Sequence, residues 1–266
     1  MTKEDLLRMA KDERFVSGIY NYCDRWCERC PFTSRCMDFA VVEEQFSDQE
    51  SRDMANEVFW QRLSETFQTT LELVRELAER EGIDLDAIDF EKQAGQEASD
   101  DELSRNHRCC RMAMAYADMV DNWLDAVGGI SEERENGIEA YTQMDMPRGG
   151  VVGLKASQEE ALEVIRWYQH QIFVKLMRAV RGTLREEEAS FDAFAKDSDG
   201  SAKVALLGIE RSIGAWGELR AFFFQQRAKI GDILLHLESL RRHVEQLFPA
   251  ARDFIRPGFD NVDLNS

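Results

Sequence analysis

The sequence predicts an all-helical protein, a bundle of about six helices with a cysteine-rich motif at its N-terminal end. Three observations carry that expectation. Apolar residues recur at spacings of three and four in five separate stretches, the period of one helix face. No stretch alternates apolar and polar residues between hairpin turns, and no repeat recurs at a fixed period. Capping residues and glycines punctuate the periodic stretches where helices would start and stop.

Thr2 with Asp5 is a cap signal, and Leu6, Leu7, Met9, Phe15, Val16 and Ile19 lead a first helix over about residues 3–30, which Pro31 stops. Phe39 to Phe46 reads as a short connector. Asp48 or Ser51 caps a second helix that carries Val58, Phe59, Leu63, Phe67, Leu71, Val74 and Leu77 and ends near Gly82. Residues 82–100 read as an acidic surface connection. A third helix covers 101–127 and stops at Gly128-Gly129. Residues 128–156 read as irregular, and within them Gly149-Gly150-x-x-Gly153 reads as a turn, because it follows no strand and lacks the Lys-Ser/Thr ending of a phosphate loop.

Ser157 with Glu160 forms a capping box for a helix to about Arg181. That helix carries two apolar stripes, Ala161, Ile165, Tyr168, Ile172 and Leu176 on one side and Leu162, Phe173 and Met177 on another, as a central helix would. Residues 182–200 read as a second acidic loop in which Asp199, or Ser201 just after it, caps the next helix. Asp197-x-Asp199-Gly200 does not match a calcium loop, since the glycine is misplaced and no closing glutamate follows. Two more helices cover Ala202 to Phe224 and about 230–248. The tail through Phe254, Pro257, Gly258 and Phe259 is aromatic enough to dock back on the body. In domain terms, residues 1–46 form the cysteine-motif segment and 47–266 the bundle, expected as one continuous domain.

Composition narrows the function. Of the 266 residues 44% are apolar, enough for a sizeable core. Thirty-three basic against 51 acidic residues give a net charge of −18. A surface of that sign opposes nucleic acid, which needs basic groups to displace counterions, and anionic membranes. No run of about 18 apolar residues is present, and the N-terminus lacks an apolar signal core. The expectation is a soluble cytoplasmic protein whose partner, if it has one, is a protein or a redox carrier. In that compartment clustered cysteines serve more often as ligands than as disulfides.

Four of the six cysteines, Cys23, Cys27, Cys30 and Cys36, fall between Tyr20 and Phe39. On a helix the first three share an arc of about 60°, with Cys36 returning over them after Pro31. Such a set can hold one ion or one cluster. Zinc sites commonly use two separated Cys-x-x-Cys hooks, and only Cys27 and Cys30 form one here. Closely spaced cysteines beside a proline are nearer to iron–sulfur usage. The run Cys23-x3-Cys27-x2-Cys30 also resembles the cluster motif of the radical-SAM enzymes. That family implies an α/β barrel and an iron left open to substrate, whereas no strand–helix alternation follows here and a fourth cysteine fills the set. An iron–sulfur cluster with a redox or sensing role is the favoured expectation. A structural zinc on a non-catalytic interaction scaffold is the alternative, and a disulfide or buried free thiols remain open.

Other constellations are weaker. Cys109 and Cys110 are adjacent, point about 100° apart on a helix and read as one buried and one partly exposed thiol. No Glu-x-x-His of a di-iron bundle and no Gly-x-Ser-x-Gly elbow occurs, so no catalytic residue is legible. On the helix after Gly200, Lys203 and Glu210 share a stripe with Gly214 and Gly217, while Arg220 falls within the apolar arc. Gly208, Gly214 and Gly217 each cost about 1 kcal/mol inside a helix, which suggests close backbone approach. The expectation is a polar pocket of Lys203, Glu210 and Arg220 beside the helix at 157–181, with Glu163 as the partner of Arg220.

Overall fold

The computed structural model describes residues 2–141, 148–186 and 192–260, with side chains over 2–127, 157–184 and 197–260. Among the described residues it is helical without any strand. The chain divides into two compact units, one of residues 1–97 with 255–266 and one of 98–254. The boundary expected at residue 46 falls inside the first unit.

The first unit opens with α1 (Lys3–Ala10), started by the expected capping box of Thr2 and Asp5. The long cysteine helix does not form. After α1 the chain runs through three short 3-10 turns, Ile19–Tyr22, Cys27–Arg29 and Thr33–Arg35. Two left-handed residues account for the difference: Gly18 at φ 74° and Arg25 at φ 58° each break helical backbone. The three-and-four spacing of the cysteines therefore serves tight turns rather than a helix face. The stretch expected as a connector is instead α2 (Met37–Gln45), followed by the single turn α3 (Gln49–Arg52) under a capping box of Asp48 with Ser51. Then comes α4 (Glu57–Glu81), capped by Asn56 and closed by Gly82 at φ 70°.

The acidic connection at 82–100 holds most of α5 (Phe90–Asn106), which crosses from the first unit to the second. The second unit is then a four-helix bundle of α6 (Arg108–Tyr141), α7 (Arg148–Glu186), α8 (Asp192–Phe222) and α9 (Arg227–Leu247), in which α6 meets α7, α7 meets α8, α8 meets α9 and α9 meets α6. The helices are longer than their glycines predicted. Gly128-Gly129 lies inside α6, where the following Glu132-Glu133-Arg134-Glu135 are good helix formers. Gly149, Gly150 and Gly153 lie inside α7, and Asp199, Gly200 and Ser201 inside α8. Of the two long loops expected here, residues 142–147 and 187–191 lie outside the described residues.

The bundle core has the expected stripe of α7, with Ile165, Tyr168, Ile172 and Leu176 buried, but α8 is covered more completely around its circumference. Across the bundle Trp123 meets Trp216 edge to face at 4.9 Å and Phe223 at 5.0 Å, and the Trp216 indole donates to the Tyr116 hydroxyl at 3.2 Å. Cys109 and Cys110 are both buried, a correction explained by α7 and α9 covering α6 on two sides. Burial pushes their thiols up to about 11 and about 12, so both behave as small hydrophobes.

Close backbone approach holds at one of the three glycines of α8. A Cβ on Gly208 would lie 2.9 Å from Tyr168 and 3.2 Å from Ile172, whereas Gly214 and Gly217 are exposed with nothing within 4 Å. Gly208→Ala should therefore lower stability by about 1–3 kcal/mol through overpacking. Gly214→Ala should raise it by up to about 1 kcal/mol, and urea melts of the two variants check the opposite signs.

Burial also pushes the Tyr116 hydroxyl up to about 12 from its ordinary 10. With the two thiols it stays protonated in the fold at a pH where the unfolded chain ionises. The folded state then holds more protons, so stability is full below about pH 9 and declines as pH rises toward 12. Thermal melts between pH 8 and 11, with Tyr116→Phe showing a shallower decline, read this out.

Candidate metal centre in the cysteine loop

The loop between α1 and α2 is closed by backbone hydrogen bonds. The Val16 N–H donates to the Arg35 carbonyl at 3.0 Å, bringing the two ends of the loop together. Within it the Arg29 N–H reaches Trp26 at 3.1 Å, the Cys30 N–H reaches Cys27 at 3.1 Å and the Cys36 N–H reaches Thr33 at 3.2 Å. Asp24 accepts from the Trp26 N–H at 3.3 Å across left-handed Arg25, and this turn sends Trp26 inward, where it is 7% exposed. Arg25 pairs with Asp38 at 2.5 Å, and the Arg29 guanidinium stacks on the Trp26 ring at 4.3 Å.

Cys23, Cys27, Cys30 and Cys36 all line one small, partly open cavity of about 20 Å³. Its remaining wall is largely aromatic, with Tyr20, Trp26, Phe32, Phe39 and Phe259. The four thiols are free and half-buried. Burial, and then the neighbouring Cys23, Cys30 and Cys36, hold the Cys27 thiol above its ordinary value. Cys36 is also pushed up by burial, although the backbone N–H groups of Phe39 and Asp38 at the start of α2 donate toward its sulfur. Among the described residues no three His, Cys, Asp or Glu side chains are gathered closely enough to hold an ion as they stand. The four cysteines thus share one cavity wall, with their sulfurs not drawn to a single point.

A C-terminal strap completes the wall. Pro257 to Asp260 turn over the loop, and Phe259 meets Phe32 edge to face at 5.1 Å. Gly258 is buried at φ 75°, and a Cβ there would lie 2.8 Å from Ile19 and 3.2 Å from Val16. Arg256 fixes the turn by pairing with Asp260 at 3.0 Å and lying over Phe259 at 4.8 Å. The sequence signals docking of the aromatic tail, but its seat on the cysteine loop is not legible there, because spacing says nothing about contacts between the two ends of a chain.

The four charged residues expected in one polar pocket are not brought together. Lys203 donates to the Phe254 carbonyl. Glu210 pairs with Arg252 at 2.6 Å, and Arg252 also pairs with Glu245 at 2.5 Å, in an exposed network of small energetic consequence. Arg220 is exposed in the last turn of α8. Glu163 lies in an open groove on α7 with Glu159, Leu162, Arg166 and Trp167. The register explains the separation. Gly182 meets Ser198, Tyr168 meets Gly208 and Ser157 reaches Glu218, so α7 and α8 run antiparallel and Glu163 lies level with about Gly214. That leaves Arg220 about six residues away, roughly 9 Å along the axis.

No protein-family model, no curated protein and no solved structure matches the chain. Among the described residues no helix is long and apolar enough to cross a membrane.

Two substitutions separate the site from the expected pocket. Arg220→Ala should change stability by no more than about 0.5 kcal/mol in a urea melt. Gly258→Ala, which meets both a left-handed backbone and the Ile19 side chain, should loosen the loop. Limited proteolysis between Lys11 and Cys36 should then run faster than in the parent protein, and an unchanged rate would remove the strap from the site.

Proposed function

We propose that Cys23, Cys27, Cys30 and Cys36 together ligate an iron–sulfur cluster and that the protein has a redox or redox-sensing role. The observation that carries this reading is the shared cavity, in which all four cysteines of the motif face one space. The chemistry of the wall supports it. Partly buried sulfur beside aromatic rings, with backbone N–H groups aimed at Cys36, is an environment that tunes a cluster's potential. The loop is built of short turns rather than one helix, so its sulfurs can move inward when a centre binds, and binding energy then becomes ordering energy for the loop.

A second reading, a structural zinc on an interaction scaffold, is favoured by the size of the cavity. At about 20 Å³ it accommodates one water-sized body in the loop's present arrangement, and four thiolates suit a tetrahedral ion.

Protein purified without oxygen distinguishes the two. A broad visible band that bleaches with dithionite, together with iron and acid-labile sulfide, is the expected result. A colourless protein with one equivalent of zinc supports the second reading instead. Cys27→Ser with Cys30→Ser should abolish metal content in either case, while Cys109→Ala should leave it unchanged. Metal retained by the double variant would refute both readings.

A further inference from the structure

The face of α4 that the rest of its unit leaves uncovered repeats with a period of seven. Trp60, Leu63, Phe67, Thr70, Val74 and Leu77 follow one another at steps of three, four, three, four and three, the seam of a coiled coil. Such a seam asks for a second helix. The helix is 25 residues long, about 37 Å, and both α1 and α3 pack on it. On the wheel, α1 reaches it at Glu76 and α2 reaches it through Phe46 on Phe59 and Gln45 on Thr66, all on one flank of the seam. The seam itself stays open, with Trp60 54% and Phe67 61% exposed and Val74 and Leu77 about half exposed.

We propose that this face of α4 pairs with the same face of a second copy of the chain, the two helices running antiparallel. Three features select that occupant. The first is self-complementarity. In the antiparallel register Trp60 of one copy meets Leu77 of the other, Leu63 meets Val74, and Phe67 fills the space beside the small Thr70. A parallel pair would stack Phe67 on Phe67 and leave a gap at Thr70. The second is charge. The positions flanking the seam from Phe59 to Ala78 are uncharged, and Glu65, Glu72 and Glu79 lie on the far side, so a chain of net charge −18 can still meet its copy here. The third is area. The exposed parts of Trp60, Phe67, Leu71, Val74 and Leu77 amount to roughly 500 Å² of apolar surface per copy, and two such faces reach about the 1,000 Å² that a specific interface needs. Trp60 is already anchored, since its indole donates to the Met54 carbonyl at 2.9 Å and its ring meets Phe59 edge to face at 5.2 Å, so each end of the seam is ordered before binding.

Sedimentation equilibrium of the full chain tests the proposal. The parent protein should sediment at twice the 30.7 kDa chain mass. Trp60→Arg and Leu77→Glu should each give a monomer with unchanged helical circular dichroism. Combining them should restore the dimer, because antiparallel pairing sets each new charge opposite its complement at both ends of the seam. A parent protein that stays monomeric at its highest soluble concentration overturns the proposal. So does a dimer that survives both single substitutions, and a double variant that remains monomeric overturns the antiparallel arrangement.

Discussion

The hydrogen bond from the Val16 N–H to the Arg35 carbonyl, 3.0 Å long, joins the two ends of a loop that has no regular helix of its own. Everything assigned to the cysteine loop depends on that closure. An irregular backbone must find partners for its polar groups turn by turn. Here three 3-10 turns, two left-handed residues and one closing bond meet the need. The geometry that results turns Trp26 inward and sets Cys23, Cys27, Cys30 and Cys36 around a common space. Apolar packing then holds the loop in shape, with Ile19 beneath Gly258 and Phe32 against Phe259. The C-terminal strap is part of the site for this reason, although it lies more than two hundred residues away in the chain.

The second unit is stabilised differently. Its core is a four-helix bundle whose aromatic centre, Trp123, Trp216, Tyr116 and Phe223, crosses from α6 to α8. Buried polar groups tie its helices together, as Gln169 of α7 does in donating to the Ala117 carbonyl and to Asp121 of α6. The charged residues that face outward form shallow networks like that of Glu210, Arg252 and Glu245. Nothing in that arrangement gathers donors for a metal among the described residues.

How far each feature was legible in the sequence follows from which forces fix it. The all-helical class was legible because apolar period is a local signal and survives any tertiary arrangement. Capping at Thr2 and Gly82 was legible for the same reason, whereas Asp48 caps the separate turn α3 and Asn56 caps the helix for which Asp48 or Ser51 was expected. The cysteine helix was not, because its three-and-four spacing suits a helix face and a chain of tight turns equally well, and only the left-handed backbone at Gly18 and Arg25 decides between them. The stop at Gly128-Gly129 failed where helix formers such as Ala126, Glu132 and Glu133 outweigh a cost of about 1 kcal/mol per glycine, and the stop at Asp199-Gly200 failed because packing overrides propensity there, with Ser198, Gly200, Ser201 and Ala202 buried. The pocket around Arg220 failed on register, since a helical wheel places residues around an axis and says nothing of their level against a neighbour. That the four cysteines line one cavity follows from their close spacing, and their aromatic surroundings were only partly legible.

X-ray absorption at the metal edge of protein purified without oxygen tests most directly whether the four cysteines serve one centre. The account predicts four sulfur neighbours at about 2.3 Å for each metal atom, whether the metal is iron or zinc. A metal surrounded mainly by nitrogen or oxygen, or a protein carrying no metal at all, would contradict it.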